Sequence, residues 1–138
     1  MMAAIVAAEA GERVTLLEGS GKLGRKILIS GNGRCNLTNM AADDPGHYHG
    51  NHPHFARRVL QQFRLEETLA FFADLGIEFR EEKRRRLFPV SDQAQSVVAL
   101  LEDKMCYTGV HIEQDAKVVR GERDSDFILH TADGRRFD

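Results

Sequence analysis

The residues with the clearest capacity for chemistry lie in VTLLEGSGKLGRKILISGNGRCNLTN, Val14 to Asn39. Glu18 ends an apolar run, and the 21 positions after it, 19–39, hold five glycines, two lysines and two arginines. In a dinucleotide-binding βαβ unit an acid about 20 residues beyond the glycine turn ends the second strand and accepts hydrogen bonds from the ribose hydroxyls. Gly31 and Gly33 flank Asn32, so the backbone can take positive φ and present consecutive N–H groups as an anion-binding nest. Lys22, Arg25, Lys26 and Arg34 add charge suited to phosphates or to an electron-rich ring edge. The stretch GKLGRK lacks the spacing of a P-loop. On residue types alone two plainer readings stay open, Glu18 as a solvated strand-end acid and 19–39 as a flexible basic surface loop.

The elements that must position these residues can be read around them. Residues 2–10 are small, apolar helix formers with Gly11 as a natural stop. RVTLLE, 13–18, has the composition of a buried strand. Segment 19–39 shows no periodicity over most of its length, and 40–54 carries Pro, Gly, Asp and Asn at turn density. From Phe55 a helical period returns through Val59, Leu60 and Phe63, then Leu65, Leu69, Phe72 and Leu75. This predicts two short helices or one bent one, with the apolar stripe in the core.

IEFREEKRRRLFPV predicts a strand, a charged turn and a second extended arm. SDQAQSVVALLEDKM predicts an amphipathic helix capped by Ser91 or Asp92, with Ala94, Val97, Val98, Leu101 and Met105 on one face. GVHIE, AKVVRGE and DFILHTA read as strands, with Asp133-Gly134 as a hairpin turn before RRFD. The order suggests an α/β layer with a small antiparallel addition.

The 138 residues correspond to one domain, and 42% hydrophobic with 29% charged residues is ordinary for a globular chain. A net charge of −2 argues against wholesale polyanion binding, while leaving room for local basic patches. Two cysteines, Cys35 and Cys106, make no disulfide framework and fit a reducing cytoplasm. No apolar run is long enough to span a membrane, so a cytoplasmic location without membrane partners is expected.

Other candidates carry less. His47, His49, His52 and His54 lie in a Pro/Gly loop without a nearby carboxylate or thiolate partner, and no metal site is expected there. Cys35 has no second cysteine at exchange spacing, which favours a packed or ring-adjacent thiol. EEKRRRLF could be a nucleic-acid patch, but two glutamates precede it and aromatic interleaving is thin.

The string from Val14 to Asn39 closely resembles the signature of the BaiN/YhiN-type flavoproteins, bacterial FAD-dependent oxidoreductases that include aminoacetone oxidases. RRRLFPVSDQAQSVVALLE resembles their second signature, Gly-Arg-x-Phe-Pro-x-Ser opening a helix, except that Arg84 replaces the usual glycine before Arg85 or Arg86. The resemblance covers essentially the whole chain. Family members have a glycine-rich Rossmann fingerprint before the small-residue helix and an Ala-Thr-Gly-Gly motif after the region resembling 107–138. The chain is therefore expected to be an interior piece, truncated at each end.

The fold so implied is α/β, a partial Rossmann-like FAD-binding domain of the two-dinucleotide-binding-domain flavoprotein type with an added antiparallel β portion. Its parts would be 1–39, the rest of the βαβ unit and the flavin-contacting loop, 40–106, a loop and helical segment, and 107–138, strands. Carried onto this sequence, Glu18 would bind the adenosine ribose, with Gly19 and Lys22 beside it. Lys26 to Asn36 would run past the pyrophosphate toward the isoalloxazine, with Gly31, Asn32, Gly33, Arg34 and Cys35 nearest the ring. By fold analogy Val118 would offer backbone groups to the adenine edge.

The implied activity is flavin-mediated hydride or electron transfer on a small organic substrate, with FAD as cofactor and NAD(P)H as a further candidate. Arg34 near the pyrimidine edge would stabilise reduced flavin. No residue stands out as a general base. The chain alone is expected to hold FAD weakly and to be inactive. An RNA- or anion-binding basic-loop module and a non-functional gene fragment are the alternative readings.

Overall fold

Residues 1–123 and 125–138 are described by a computed structural model, Pro53 and His54 without their side chains. In chain order the elements are α1 (Met2–Glu9), β1 (Thr15–Leu17), α2 (Arg25–Ile29), β2 (Thr38–Asn39), α3 (Pro53–Gln62), α4 (Leu65–Asp74), β3 (Phe79–Glu82), β4 (Arg86–Pro89), α5 (Ala94–Tyr107), β5 (His111–Glu113), β6 (Val118–Arg123), β7 (Phe127–Thr131) and β8 (Arg136–Phe137). They form two compact units, one of residues 1–25 and 98–138 and the other of 26–97, with the boundaries falling inside α2 and α5.

In the first unit β1 and β5 form a parallel pair with Thr15 opposite His111 and Leu17 opposite Glu113. Parallel strands need a long crossover, and here the connection includes α5. Lys104 of α5 pairs with Glu9 of α1 at 2.6 Å. The antiparallel β6–β7–β8 meander follows, with the Asp133-Gly134 turn where expected. Arg135 ties this turn to β5 through Glu113 at 2.6 Å. Ile5, Leu23, Leu101, Met105, Val110 and Ala116 are buried here.

The second unit holds a three-stranded antiparallel sheet in the order β2–β4–β3, with Phe79 opposite Pro89 and Thr38 opposite Leu87. Its core gathers Ile77, Leu87, Phe88, Ala94 and Val97, and Phe88 is fully buried. All five residues expected on the apolar face of α5 are buried, because their spacing keeps one stripe inward along the whole helix.

The structure corrects the sequence reading in four places. Segment 19–39 is not irregular throughout, since α2, a 3₁₀ turn at Ser30–Gly33 and β2 lie within it. These pieces run two to five residues each, too short for a periodicity to register. The Phe/Leu stripe is not core, since Leu65, Leu69, Phe72 and Leu75 in its second half are only half-buried. Phe55, Val59 and Phe63 are 71%, 50% and 41% exposed, and Phe55 and Val59 line an open concavity with Tyr48 and His49.

Asp92 does not cap α5. Its φ is +54° and its carboxylate faces Arg80, while Ser91 Oγ lies 2.8 Å from Ser96 Oγ near the helix start. The fourth correction concerns the missing glycine. Arg84 and Arg85 both take left-handed φ, +63° and +59°, in the β3–β4 turn. Counting back from Phe88-Pro89, the glycine of the resembled pattern falls on Arg85. Two adjacent arginines thus occupy backbone that costs a side-chain-bearing residue about 1–2 kcal/mol each.

Candidate functional site

At the carboxyl end of β1 the chain is held by its backbone. Glu18 N–H donates to the Glu113 carbonyl (2.8 Å), Ala116 N–H to the Glu18 carbonyl (2.8 Å) and Asp115 N–H to the Ser20 carbonyl (3.2 Å). The half-buried Glu18 carboxylate accepts through one oxygen, Oε1, from Ser20 N–H and Oγ, both at 2.9 Å. Among the described residues its second oxygen has no partner. Gly19 lies flat against Lys117, where even a Cβ on Gly19 would sit 3.5 Å from Lys117 Cα. Val118, 41% exposed, is the next residue and opens β6 opposite Thr131.

The structure therefore brings Glu18, Gly19 and Val118 to one strand end, with exposed Lys22 on the loop that leaves it. The carboxyl end of a parallel strand is where open α/β sheets bind ligands. An acid with one oxygen fixed and the other open can accept from a vicinal diol while its rotamer is held. This acceptor fits the hydroxyls of a dinucleotide ribose. Ser20 and Lys117 complete the arrangement and were missed in the sequence, where nothing marks them except adjacency to Glu18 and Val118.

In the second unit the residues proposed for the ring form a folded turn. Gly31, Asn32, Gly33 and Cys35 have φ of +55°, +61°, +82° and +63°, so the positive φ expected for the glycines extends to two side-chain-bearing neighbours. The nest is partly used up internally. Cys35 N–H donates to the Ser30 carbonyl (3.0 Å) and Arg34 N–H to that of Gly31 (3.4 Å), which turns both donors away from any anion. Lys26, Cys35 and Asn36 line a small, mostly apolar pocket of about 240 Å³ with Ser30, Phe72 and Val97. Cys35 is buried, and burial pushes its thiol above the ordinary range, partly offset by Ser30.

Arg34 is not a free cation. Its guanidinium forks onto Glu82 at 2.8 and 3.3 Å, lies 3.5 Å from Asp92 and stacks over the Phe88 ring with Cζ at 4.2 Å from the centroid. Arg80 reaches the same two acids, Asp92 at 2.7 Å and Glu82 at 3.1 Å. Two cations and two anions cancel, so the loop is braced by this network and not left positive. Glu82, Asp92 and Arg80 were not read as site residues, since 48 and 58 positions separate the two acids from Arg34.

The Arg34 hydrogen bond, followed by that of Arg80, holds the Glu82 carboxyl below its usual value. A depressed acid stabilises the fold above its unfolded-state pKa and loses that contribution as pH falls through the folded-state value. The gap in melting temperature between the native chain and Glu82→Gln is expected to narrow as pH drops from about 7 to about 3. A gap that stays constant over that range would remove Glu82 from the bracing role.

In the histidine loop His47 Nε2 lies 3.6 Å from Asp44 Oδ2, and the His54 side chain lies outside the described residues. Among the described residues no helix is long and apolar enough to cross a membrane.

A parallel strand pair joined by a crossover that includes a helix, with an acid at its carboxyl end, has the layout of a Rossmann-type α/β domain. The chain belongs to the HI0933-like family, whose Rossmann domain matches it over residues 1–138, a family of FAD-dependent oxidoreductases. It is 45% identical over a 145-position alignment to the 3-dehydro-bile acid delta(4,6)-reductase of Clostridium scindens, covering 99% of this chain and 34% of that protein. It is 38% identical to the ribosomal RNA dihydrouridine synthase of Escherichia coli over 75% of this chain and 26% of that one. For the enzyme of that name from Haemophilus influenzae the figures are 33%, 84% and 28%. The chain thus spans about a third of the length of the curated relatives it matches.

Proposed function

We propose that the chain is the FAD-binding part of a reductase that adds hydride to a carbon–carbon double bond, with a reduced nicotinamide as hydride source. The observation that carries the cofactor half is Glu18 at the carboxyl end of a parallel strand, one oxygen held by Ser20 and the other open. The names of the relatives support the reaction class, because a delta(4,6)-reductase and a dihydrouridine synthase both saturate such a bond. Bound FAD would supply the two-electron carrier.

Within that reading each part of the chain has a task. Glu18 accepts from the ribose diol, Gly19 lets the adenosine lie close to the backbone, and the Val118 backbone meets the adenine edge. Lys22 and Lys26 balance phosphate charge. The Gly31–Cys35 turn forms a rigid wall for the ring, and the small pocket beside Cys35 is lined by Phe72 and Val97. Arg34 acts here by fixing the turn, since its charge is matched by Glu82.

Glu18→Gln tests this directly. The amide oxygen still accepts from Ser20, so the loop persists, but the charge that binds the diol is gone. Titration with FAD followed by quenching of flavin fluorescence is expected to give a Kd raised about tenfold or more, the size of a charge-assisted hydrogen bond. An unchanged Kd would take Glu18 out of the site. Anaerobic mixing of the reduced, flavin-loaded protein with an unsaturated steroid ketone or with uridine-containing RNA tests the reaction class. Flavin reoxidised by neither faster than free flavin would leave the cofactor reading standing and remove the reaction.

A further inference from the structure

A concavity of about 640 Å³ in the second unit lies at the β3–β4 turn, lined by Asn36, Thr38, Tyr48, Arg84 and Arg85 among others. Its chemistry differs from that of the small pocket beside Cys35. Two guanidinium groups, an amide, a hydroxyl and an aromatic ring meet there. Among the described residues the side chains of Asn36, Thr38 and Arg84 make no hydrogen bond or ion pair, and Arg85 has only a long contact to Glu81 at 3.9 Å. Hydrogen-bonding and charge capacity is therefore left open in one place.

The backbone beneath it supplies a second, independent observation. Both arginines sit in left-handed φ, where glycine would be strain-free, and the turn is held that way from outside. Asn39 Nδ2 donates to the Arg84 carbonyl at 2.8 Å and Met40 N–H to the Arg85 carbonyl at 2.8 Å. Asn39 is itself fixed, its Oδ1 accepting from Ala41 N–H at 2.9 Å. Tyr48 is tethered through its hydroxyl to the Ala42 carbonyl at 2.8 Å. Strain kept in place by surrounding structure points to a use for the side chains that cause it.

We infer that this concavity binds a phosphorylated nucleoside. Arginine forks match phosphate oxygens, the Asn36 amide and Thr38 hydroxyl match the polar edge of a base or sugar, and the Tyr48 ring offers a stacking face. The volume lies within the range of small-molecule sites. Asn36 directly follows the turn proposed to face the flavin, so the bound nucleoside would stand beside the ring, which rests on the proposed function. Its source is either a reduced nicotinamide dinucleotide or a nucleotide within an RNA strand, because both present the same phosphate and base chemistry.

The test replaces Arg84 and Arg85 together by glycine, which suits the backbone at both positions and so does not threaten the fold. Binding of NADPH is followed by equilibrium dialysis and binding of a fluorescein-labelled oligouridylate by anisotropy. One or both are expected to bind the native chain. In Arg84→Gly/Arg85→Gly the affinity should fall about tenfold or more and the slope of log K against log salt should flatten by about 1.4 for the single-stranded RNA. The melting temperature should stay the same or rise.

NADPH binding alone assigns the site to the hydride donor, and oligouridylate binding alone assigns it to a substrate strand. Failure of both ligands to bind, or equal binding by the double variant, overturns the inference, as does equally tight binding of a phosphate-free carboxylate such as a bile acid. FAD titration of the same variant should match the native chain. Loss of FAD binding in Glu18→Gln with nucleotide binding retained, or the reverse, separates this proposal from the cofactor reading.

Discussion

Gly31→Ala is expected to cost about 3 kcal/mol of folding stability, from two effects of about 1–2 kcal/mol each. The backbone at Gly31 has φ of +55°, in the left-handed region that an L side chain enters only with strain. A Cβ there would also lie 2.6 Å from Phe88 Cε1 and 2.7 Å from the backbone nitrogen of Asn36. Neither neighbour can yield cheaply, because Phe88 is fully buried and the Asn36 nitrogen is main chain. Set against a total of roughly 5–15 kcal/mol for a domain, the loss is a large share. Urea unfolding should show a lower midpoint with an unchanged slope. A loss under about 0.5 kcal/mol would mean that the turn relaxes freely and is not the rigid wall proposed for the flavin.

Much of this was legible in the sequence because it rests on local periodicity. The α5 stripe from Ala94 to Met105 and the Asp133-Gly134 hairpin are each set by residues a few positions apart and lie where the pattern put them, while the strand before Glu18 is shorter than read, Thr15–Leu17, and holds no buried residue. The glycines of the Gly31–Cys35 turn were legible from their adjacency alone. Contacts across long sequence separations were not. That Arg34 would be neutralised by Glu82 and Asp92 depends on β3 and the approach to α5 arriving beside residue 34, and no spacing rule encodes that.

The same limit explains Phe55 and Val59. A helical period says that one face is apolar but not that anything covers it. Conversely, the charged string EEKRRR read as one charged turn, at most a nucleic-acid patch, yet the structure divides it by backbone geometry. Glu82 turns inward to brace Arg34, while Arg84 and Arg85 are held outward by left-handed φ. Composition could not separate those roles, because both residue types look alike until the turn is drawn.

Phe88→Ala is expected to be the most damaging single change to the second unit, at about 3–5 kcal/mol for a large buried aromatic side chain. The ring supports three things at once: its edge meets Gly31, its face carries the Arg34 guanidinium at 4.2 Å, and Arg86 lies 5.6 Å from its centroid on the same hairpin. Removal should therefore loosen the turn as well as lower the midpoint, and buried Cys35 should become reactive to a maleimide at a rate approaching that of exposed Cys106.

Combining the two substitutions distinguishes loosening from simple loss of core. If the Gly31 penalty arises partly from the ring, then in a Phe88→Ala background Gly31→Ala should cost only the backbone strain and the Asn36 contact, about 1–2 kcal/mol, less than it does alone. A sum of the separate losses, within about 0.5 kcal/mol, would show that ring and turn are independent. Sub-additivity together with a reactive Cys35 would establish that the apolar core of this unit sets the shape of the turn. The wall proposed for the flavin would then be a property of Phe88 as much as of the glycines that made it visible.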